Sequence, residues 1–296
     1  MFRFFLFKLG QFFAHALPLN YSYTIACFIA DLQYYLSYTD RKAVHNNFKV
    51  ITGSEITERF HPKEVFRNFS RYLVEFFRMA RYLNDDYVAE NVQIEHLDRL
   101  QAVLKKGKGA ILVTGHIGNW ELGAAILSKC GYPSMVIALP HKENSVNNFF
   151  NQQREAAGLE VIPTKLAFRR YLEALRQNKI VGVIADRDFT ESGKLLEFLG
   201  KKALIPKGAA VMSYRTGTDI VPVFFVRQKN GSFLMTIKEP IVSPQKDNGR
   251  SDEENILFLM RSYKNILEQK IRENPEQWIM FRQFWVDEQR AIKAVN

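Results

Sequence analysis

From residue 92 onward, short apolar runs alternate with amphipathic stretches, and this alternation restricts the fold more than any other feature of the chain. Residues 92–94, 110–114, 134–138, 159–162 and 180–185 have the length and β-branched content of buried strands. Residues 96–105, 122–128, 144–157 and 166–177 read as the helices between them. Pro206 stands near the first turn of a helix running to Thr216. Residues 220–226 and 233–239 flank Asn230–Gly231 as a hairpin, and 252–274 is a long helix. The pattern predicts an α/β fold with a mostly parallel central sheet flanked by helices and some antiparallel additions.

The N-terminal part follows another rule. Residues 1–30 carry two formal charges, Arg3 and Lys8, no acid, and a cluster of phenylalanines. Asp31 and Gln33 interrupt the next apolar stretch, so no run approaches the ~20 residues of a spanning helix. Residues 1–40 therefore read as an amphipathic helical region that lies in a membrane interface, or packs its Phe face on the core, the two being compatible. Residues 41–296 read as a single α/β domain. Within it 64–83 is a strong helix with Phe69, Leu73, Phe76 and Phe77 on one side and Arg67, Arg71, Arg78 and Arg81 sharing a face. That stripe is either solvated or turned toward phosphate.

A net charge of +10 suits an anionic partner. No zinc-finger or RNA-recognition pattern accompanies it, which argues against nucleic acid. Cys27 and Cys130 make neither a disulfide framework nor a metal site, and point to a reducing compartment.

The chemistry is expected just after the strand 110–114, in Gly115-His116-Ile117-Gly118-Asn119-Trp120-Glu121. A strand-to-helix turn is where α/β proteins hold ligands. His116 is the side chain suited to take a proton near neutral pH, and Glu121 is placed to orient it. A His near a carboxylate also occurs as a structural pair, but Gly115 and Gly118 allow a sharp turn and close approach to a ligand. A second strand ends in Asp186-Arg187-Asp188-Phe189 and, in a parallel sheet, emerges on the same edge. These residues either shape a loop as an ion-pair cluster or position an acceptor head group. No Gly-x-Ser-x-Gly elbow occurs, and His96, His116 and His141 lack ligand spacing.

The His116 segment resembles the His-x4-Asp/Glu motif of glycerolipid-type acyltransferases. Its His-x-x-Asn-Trp-Glu form is similar to the branch containing lipid A late acyltransferases and the phosphatidylinositol mannoside acyltransferase. Further pieces resemble that branch in order: Asn46-Asn47, Arg154 ahead of Gly158, Asp186/Asp188/Phe189, Pro206-Lys207-Gly208, and Asn274-Pro275-Glu276-Gln277-Trp278. Leu139-Pro140-His141 and Phe281-Arg282-Gln283-Phe284-Trp285 depart from the arginine and His-plus-arginine segments common there, which bears on the acceptor.

The resemblance implies a glycerolipid acyltransferase-like fold and an enzyme, peripheral or N-terminally anchored, on the cytoplasmic face of the inner membrane. It implies transfer of a fatty acyl chain from acyl carrier protein or acyl-CoA to a hydroxyl of a lipid A precursor. His116 and Glu121 would be catalytic, and Asn119, Arg154, Asp186, Arg187 and Asp188 substrate-binding. Oxyanion donors would be the Gly118–Asn119 amides or a nearby arginine. No metal or cofactor beyond the thioester co-substrate is implied; the partners are the donor, the glycolipid and an anionic membrane surface. The competing readings are acylation of another glycolipid or an aminolipid, a lipid hydrolase, and a non-catalytic lipid-binding protein.

Overall fold

The structure, a computed structural model, describes residues 2–54, 60–138, 141–163, 167–188 and 193–286. Helices α1 (Phe2–Ala16), α2 (Leu19–Leu36), α3 (Tyr38–Thr52) and α4 (Lys63–Tyr82) precede the sheet. A short α5 (Asp85–Asn91) leads into β1 (Val92–Glu95), α6 (Leu97–Leu104), β2 (Ala110–Thr114) and α7 (Trp120–Lys129). Alternation continues through β3 (Ser134–Ala138), α8 (Asn144–Ala156), β4 (Glu160–Pro163), α9 (Ala167–Arg176) and β5 (Ile180–Ile184). A hairpin, β6 (Lys194–Phe198) and β7 (Lys201–Ile205), precedes α10 (Gly208–Thr216). Then come β8 (Ile220–Arg227), β9 (Phe233–Ile237), α11 (Asp252–Glu273) and a 3-10 turn, Pro275–Gln277.

Among the described residues seven strands form one sheet in the order β1-β9-β8-β2-β5-β3-β4. β2 lies at its centre, parallel to both β5 and β8; β8 and β9 are the antiparallel pair expected around Asn230–Gly231. A strand buried on both faces reads as a continuous apolar run, and alternate side chains enter opposite layers. In β2, Ile111 and Val113 join Leu259, Tyr263 and Leu267 of α11, whereas Ala110 and Leu112 join Phe76, Leu122, Ile126 and Phe149 of α4, α7 and α8. The functional edge is the one where β2 and β5 end together.

Two arginines of the α4 stripe meet the N-terminal helices. Arg67 grips Asp31 of α2 with Nε and Nη2, at 2.7 and 2.6 Å. Arg78 donates to the carbonyls of Ala14 and Leu17 at the α1–α2 elbow. Arg71 bonds Glu64 and Asn68 within α4, and Arg81 is exposed. The opposite side of those helices is exposed and apolar, with Phe5, Phe12, Ile25, Phe28, Ile29 and Tyr35 uncovered.

The β6–β7 hairpin had no expectation in the sequence. Its two-residue turn, Leu199–Gly200, has φ of 54° and 88°, the left-handed pair that such tight hairpins require. Leucine carries no signal for that conformation.

Candidate active site

Register brings the site together. Thr114 of β2 pairs with Ile184 of the parallel β5. Two residues beyond each strand, therefore, His116 and Asp186 face one another. Asp186 Oδ1 lies 2.8 Å from His116 Nδ1, and Oδ2 accepts from the His116 backbone N–H at 2.8 Å and from Trp278 Nε1 at 2.9 Å. Asp186 is fully buried. Burial pushes its carboxyl upward, but the His116 charge and these donors outweigh it, and the group is held below the ordinary carboxylate value. A carboxylate only accepts, so Nδ1 carries the proton and Nε2 becomes the basic nitrogen.

The backbone around His116 is held as firmly. The His116 carbonyl accepts from Ile279 N at 2.7 Å, Gly118 N donates to Gln277 O, and Asn119 N donates to Phe225 O, both at 2.9 Å. Gly118 has φ +65°, and a Cβ there would overlap the Phe225 carbonyl. Glycine is needed for both reasons. Trp120 sets its ring edge-on to His116, centroids 5.0 Å apart.

Several expectations are corrected by this geometry. The carboxylate on Nδ1 is Asp186, not Glu121. Glu121 faces Arg154, whose Nε lies 3.0 Å from both carboxylate oxygens and whose Nη2 lies 2.7 Å from Oε1. Burial disfavours the Arg154 charge, yet Glu121 overcomes it and its pKa is raised. Asn119, expected at the substrate, is buried; Oδ1 caps α7 at Leu122 N and Nδ2 donates to Glu75. Asp186 lies against the imidazole. The Gly118 and Asn119 amides donate to the Gln277 and Phe225 carbonyls. Asp188 Oδ2 accepts from Gly193 N at 2.6 Å. Arg187 is half-buried; burial and the nearby Arg282 lower its pKa, against the pull of Asp186. Phe189, Leu139 and Pro140 lie outside the described residues.

Beside Glu121 and Arg154 an apolar cavity runs between α7 and the sheet, lined by Trp120, Gly123, Leu127, Val136, Gly182 and Phe225 among others. Gly123 lets α7 approach the sheet there, since a Cβ would come within 2.7 Å of Phe225 Cβ.

Glu75 escaped the sequence reading, and Trp278, Gln277 and Asn47 entered it only as parts of motifs. Asn47 Nδ2 ties the final segment down through the carbonyls of Met280 and Arg282, at 3.1 and 2.8 Å. Glu75 carried a signal, one acid inside the apolar run Leu73-Val74-Glu75-Phe76-Phe77, which a buried hydrogen bond explains.

The sequence model of the bacterial lipid A biosynthesis acyltransferases matches residues 1–286. The chain belongs to this family. It is an acyltransferase acting on lipids. Among individual members it is 27% identical over 232 residues to the phosphatidylinositol mannoside acyltransferase of Mycolicibacterium smegmatis, covering 76% of this chain and 73% of that one. It is 24% identical to the lipid A biosynthesis palmitoleoyltransferase of Escherichia coli, over 73% of this chain and 68% of the other. The crystal structure of the 1-acyl-sn-glycerophosphate acyltransferase of Thermotoga maritima aligns over 84% of this chain and 96% of its own, at 14% identity and a TM-score of 0.37. In this acyltransferase the pair at the functional edge is His116–Asp186, with Glu121–Arg154 beside it.

Proposed function

We propose that the protein moves a fatty acyl chain from a thioester to a hydroxyl of a membrane glycolipid, with His116 as general base. The Asp186–His116 bond carries this reading, because it leaves Nε2 as the basic nitrogen at the mouth of a strand-to-helix turn. His116 removes the proton as the acceptor oxygen attacks the thioester carbonyl. Asp186 stabilises the imidazolium that forms. Collapse of the tetrahedral intermediate breaks the carbon–sulfur bond, and the thiolate takes the proton back from His116. The products are an ester and a free thiol, with no acyl-enzyme. Arg154, on the wall of the apolar cavity, supplies positive charge near the carbonyl, and the cavity takes the acyl chain.

The donor is acyl carrier protein or acyl-CoA, which present the same thioester. The exposed apolar side of α1 and α2 supports a place on a membrane surface, for which we propose the cytoplasmic face of the inner membrane. No helix among the described residues is long and apolar enough to cross it. A lipid A precursor is the first acceptor. An inositol-mannoside-type glycolipid is the second, favoured by the likeness to the M. smegmatis enzyme and by the departures at Leu139–His141 and Phe281–Trp285.

Mass spectrometry of lipids from cells lacking the gene, complemented with wild type or His116→Ala, tests both. Loss of one acyl chain from lipid A, restored only by wild type, supports the first acceptor. A change confined to another glycolipid supports the second. With purified protein, thioester consumption that needs no acceptor would replace transfer by hydrolysis, and no consumption would leave only lipid binding.

A further inference from the structure

Behind the His116 turn lies a buried ion pair that the reaction as written does not use. Glu75, midway along α4, is 4% exposed and forms a salt bridge with Arg227 at the end of β8. The same Glu75 oxygen, Oε1, accepts from the Tyr23 hydroxyl of α2 at 2.8 Å, and Arg227 Nη1 donates to that hydroxyl at 3.2 Å. Glu75 Oε2 accepts from Asn119 Nδ2 at 2.6 Å. The Arg227 backbone is clasped in both directions by the Gln277 side chain, 3.0 Å at its N–H and 2.9 Å at its carbonyl. Gln277 also receives the Gly118 N–H.

Taking two charges out of water is costly, and an apolar pair of equal volume is commonly as stabilising. What an apolar pair lacks is direction. Glu75 accepts only, so it decides which end of the Asn119 amide points inward and which caps α7. The start of α7 then sets Trp120 against the His116 ring. We infer that Glu75, supported by Arg227 and Tyr23, is a positioning residue for acyl transfer. Acting through Asn119, it holds the turn 115–119 so that His116 Nε2 meets the acceptor hydroxyl. This rests on the acyl-transfer reading above.

The test exchanges the two groups. Glu75→Gln sets amide against amide, and Asn119→Asp sets carboxylate against carboxylate. The double variant restores one amide and one carboxylate in exchanged places. It keeps the wild-type net charge and a good helix cap, since Asp caps as well as Asn. The readouts are kcat and KM for the acyl thioester, thermal melting, and the imidazole NMR signals of His116, assigned by their absence in His116→Ala. Each single variant should lower kcat about tenfold to a hundredfold, the scale of a misplaced catalytic group. KM should move by about threefold or less, and the double variant should recover kcat to within about threefold of wild type. A single variant with wild-type kcat would overturn the inference. So would losses that multiply in the double variant, or that vanish when turnover is referred to folded protein. If the wild type transfers no acyl group, the assigned reaction fails, and the NMR signals judge the network alone. Displacement in each single variant and return in the double supports it; signals that stay put in all three remove it.

Discussion

The Asp186 Oδ1 atom stands 2.8 Å from His116 Nδ1, although seventy residues of chain separate them. Strand register makes that contact, and it sets which carboxylate meets the imidazole. His116→Ala should reduce turnover by roughly 10²–10⁴-fold, the range for losing a general base. Asp186→Asn should also reduce kcat and displace the imidazole NMR signals of His116, while Glu121→Gln should leave those signals in place. Displaced signals in Glu121→Gln would return Glu121 to the imidazole.

Asp186 also predicts how stability falls in acid. Its folded-state pKa is lowered from an ordinary value of 3.8. A carboxylate of this kind contributes stability above its unfolded value and loses it as pH falls through the folded one. Urea unfolding followed from neutral pH downward should show wild type declining below about pH 4 more steeply than Asp186→Asn. Equal slopes would mean that burial of Asp186 cancels its partners, and a shallower wild-type decline that burial dominates them.

Glu121 and Arg154 are nearly buried, with side chains 8% and 11% exposed. Removing one partner of such a pair costs about 3–5 kcal/mol, because the other charge is stranded. Arg154→Met should lower the melting temperature sharply, and adding Glu121→Gln should recover roughly half of that loss. Additive losses in a thermal-melting cycle would show that the two act separately.

Gly182 lines the apolar cavity, where a Cβ would reach Val136 at an ordinary 3.4 Å. Gly182→Val should therefore fold and shorten the preferred acyl chain. Each methylene that no longer fits costs about 0.8 kcal/mol, roughly fourfold in kcat/KM. Competition between thioesters of different lengths measures this, and an unchanged preference would place the acyl chain elsewhere.

Phe28 is 64% and Ile29 58% exposed, both on the uncovered side of α2. Phe28→Ser with Ile29→Ser should leave melting unchanged and weaken sedimentation with anionic vesicles by about tenfold or more, since each inserted apolar side chain contributes about 1.5–3 kcal/mol. Binding equal to wild type would remove α2 from the membrane contact.

Much of the architecture was legible because periodicity is local. The run Ala110–Thr114 is apolar at every position but the last, as a central parallel strand must be, and Asn230–Gly231 marks its hairpin through backbone freedom alone. The β6–β7 hairpin was illegible for the converse reason: Leu199 adopts a positive φ that its type does not advertise. The α4 arginines share a face by spacing, but spacing is silent on what that face meets, and Asp31 and the elbow carbonyls answered it.

By itself the sequence determined the elements apart from the β6–β7 hairpin, the place of His116 at a strand end, and the family to which the chain belongs. Tertiary structure decided the partners. Parallel pairing of β2 with β5 carries Asp186 to His116, while the first turn of α7 carries Glu121 away toward Arg154. Sequence distance records only the order of residues along the backbone. Hydrogen bonds form between atoms about 3 Å apart in space, and only the register of strands and the rotation of helices bring chosen atoms to that distance.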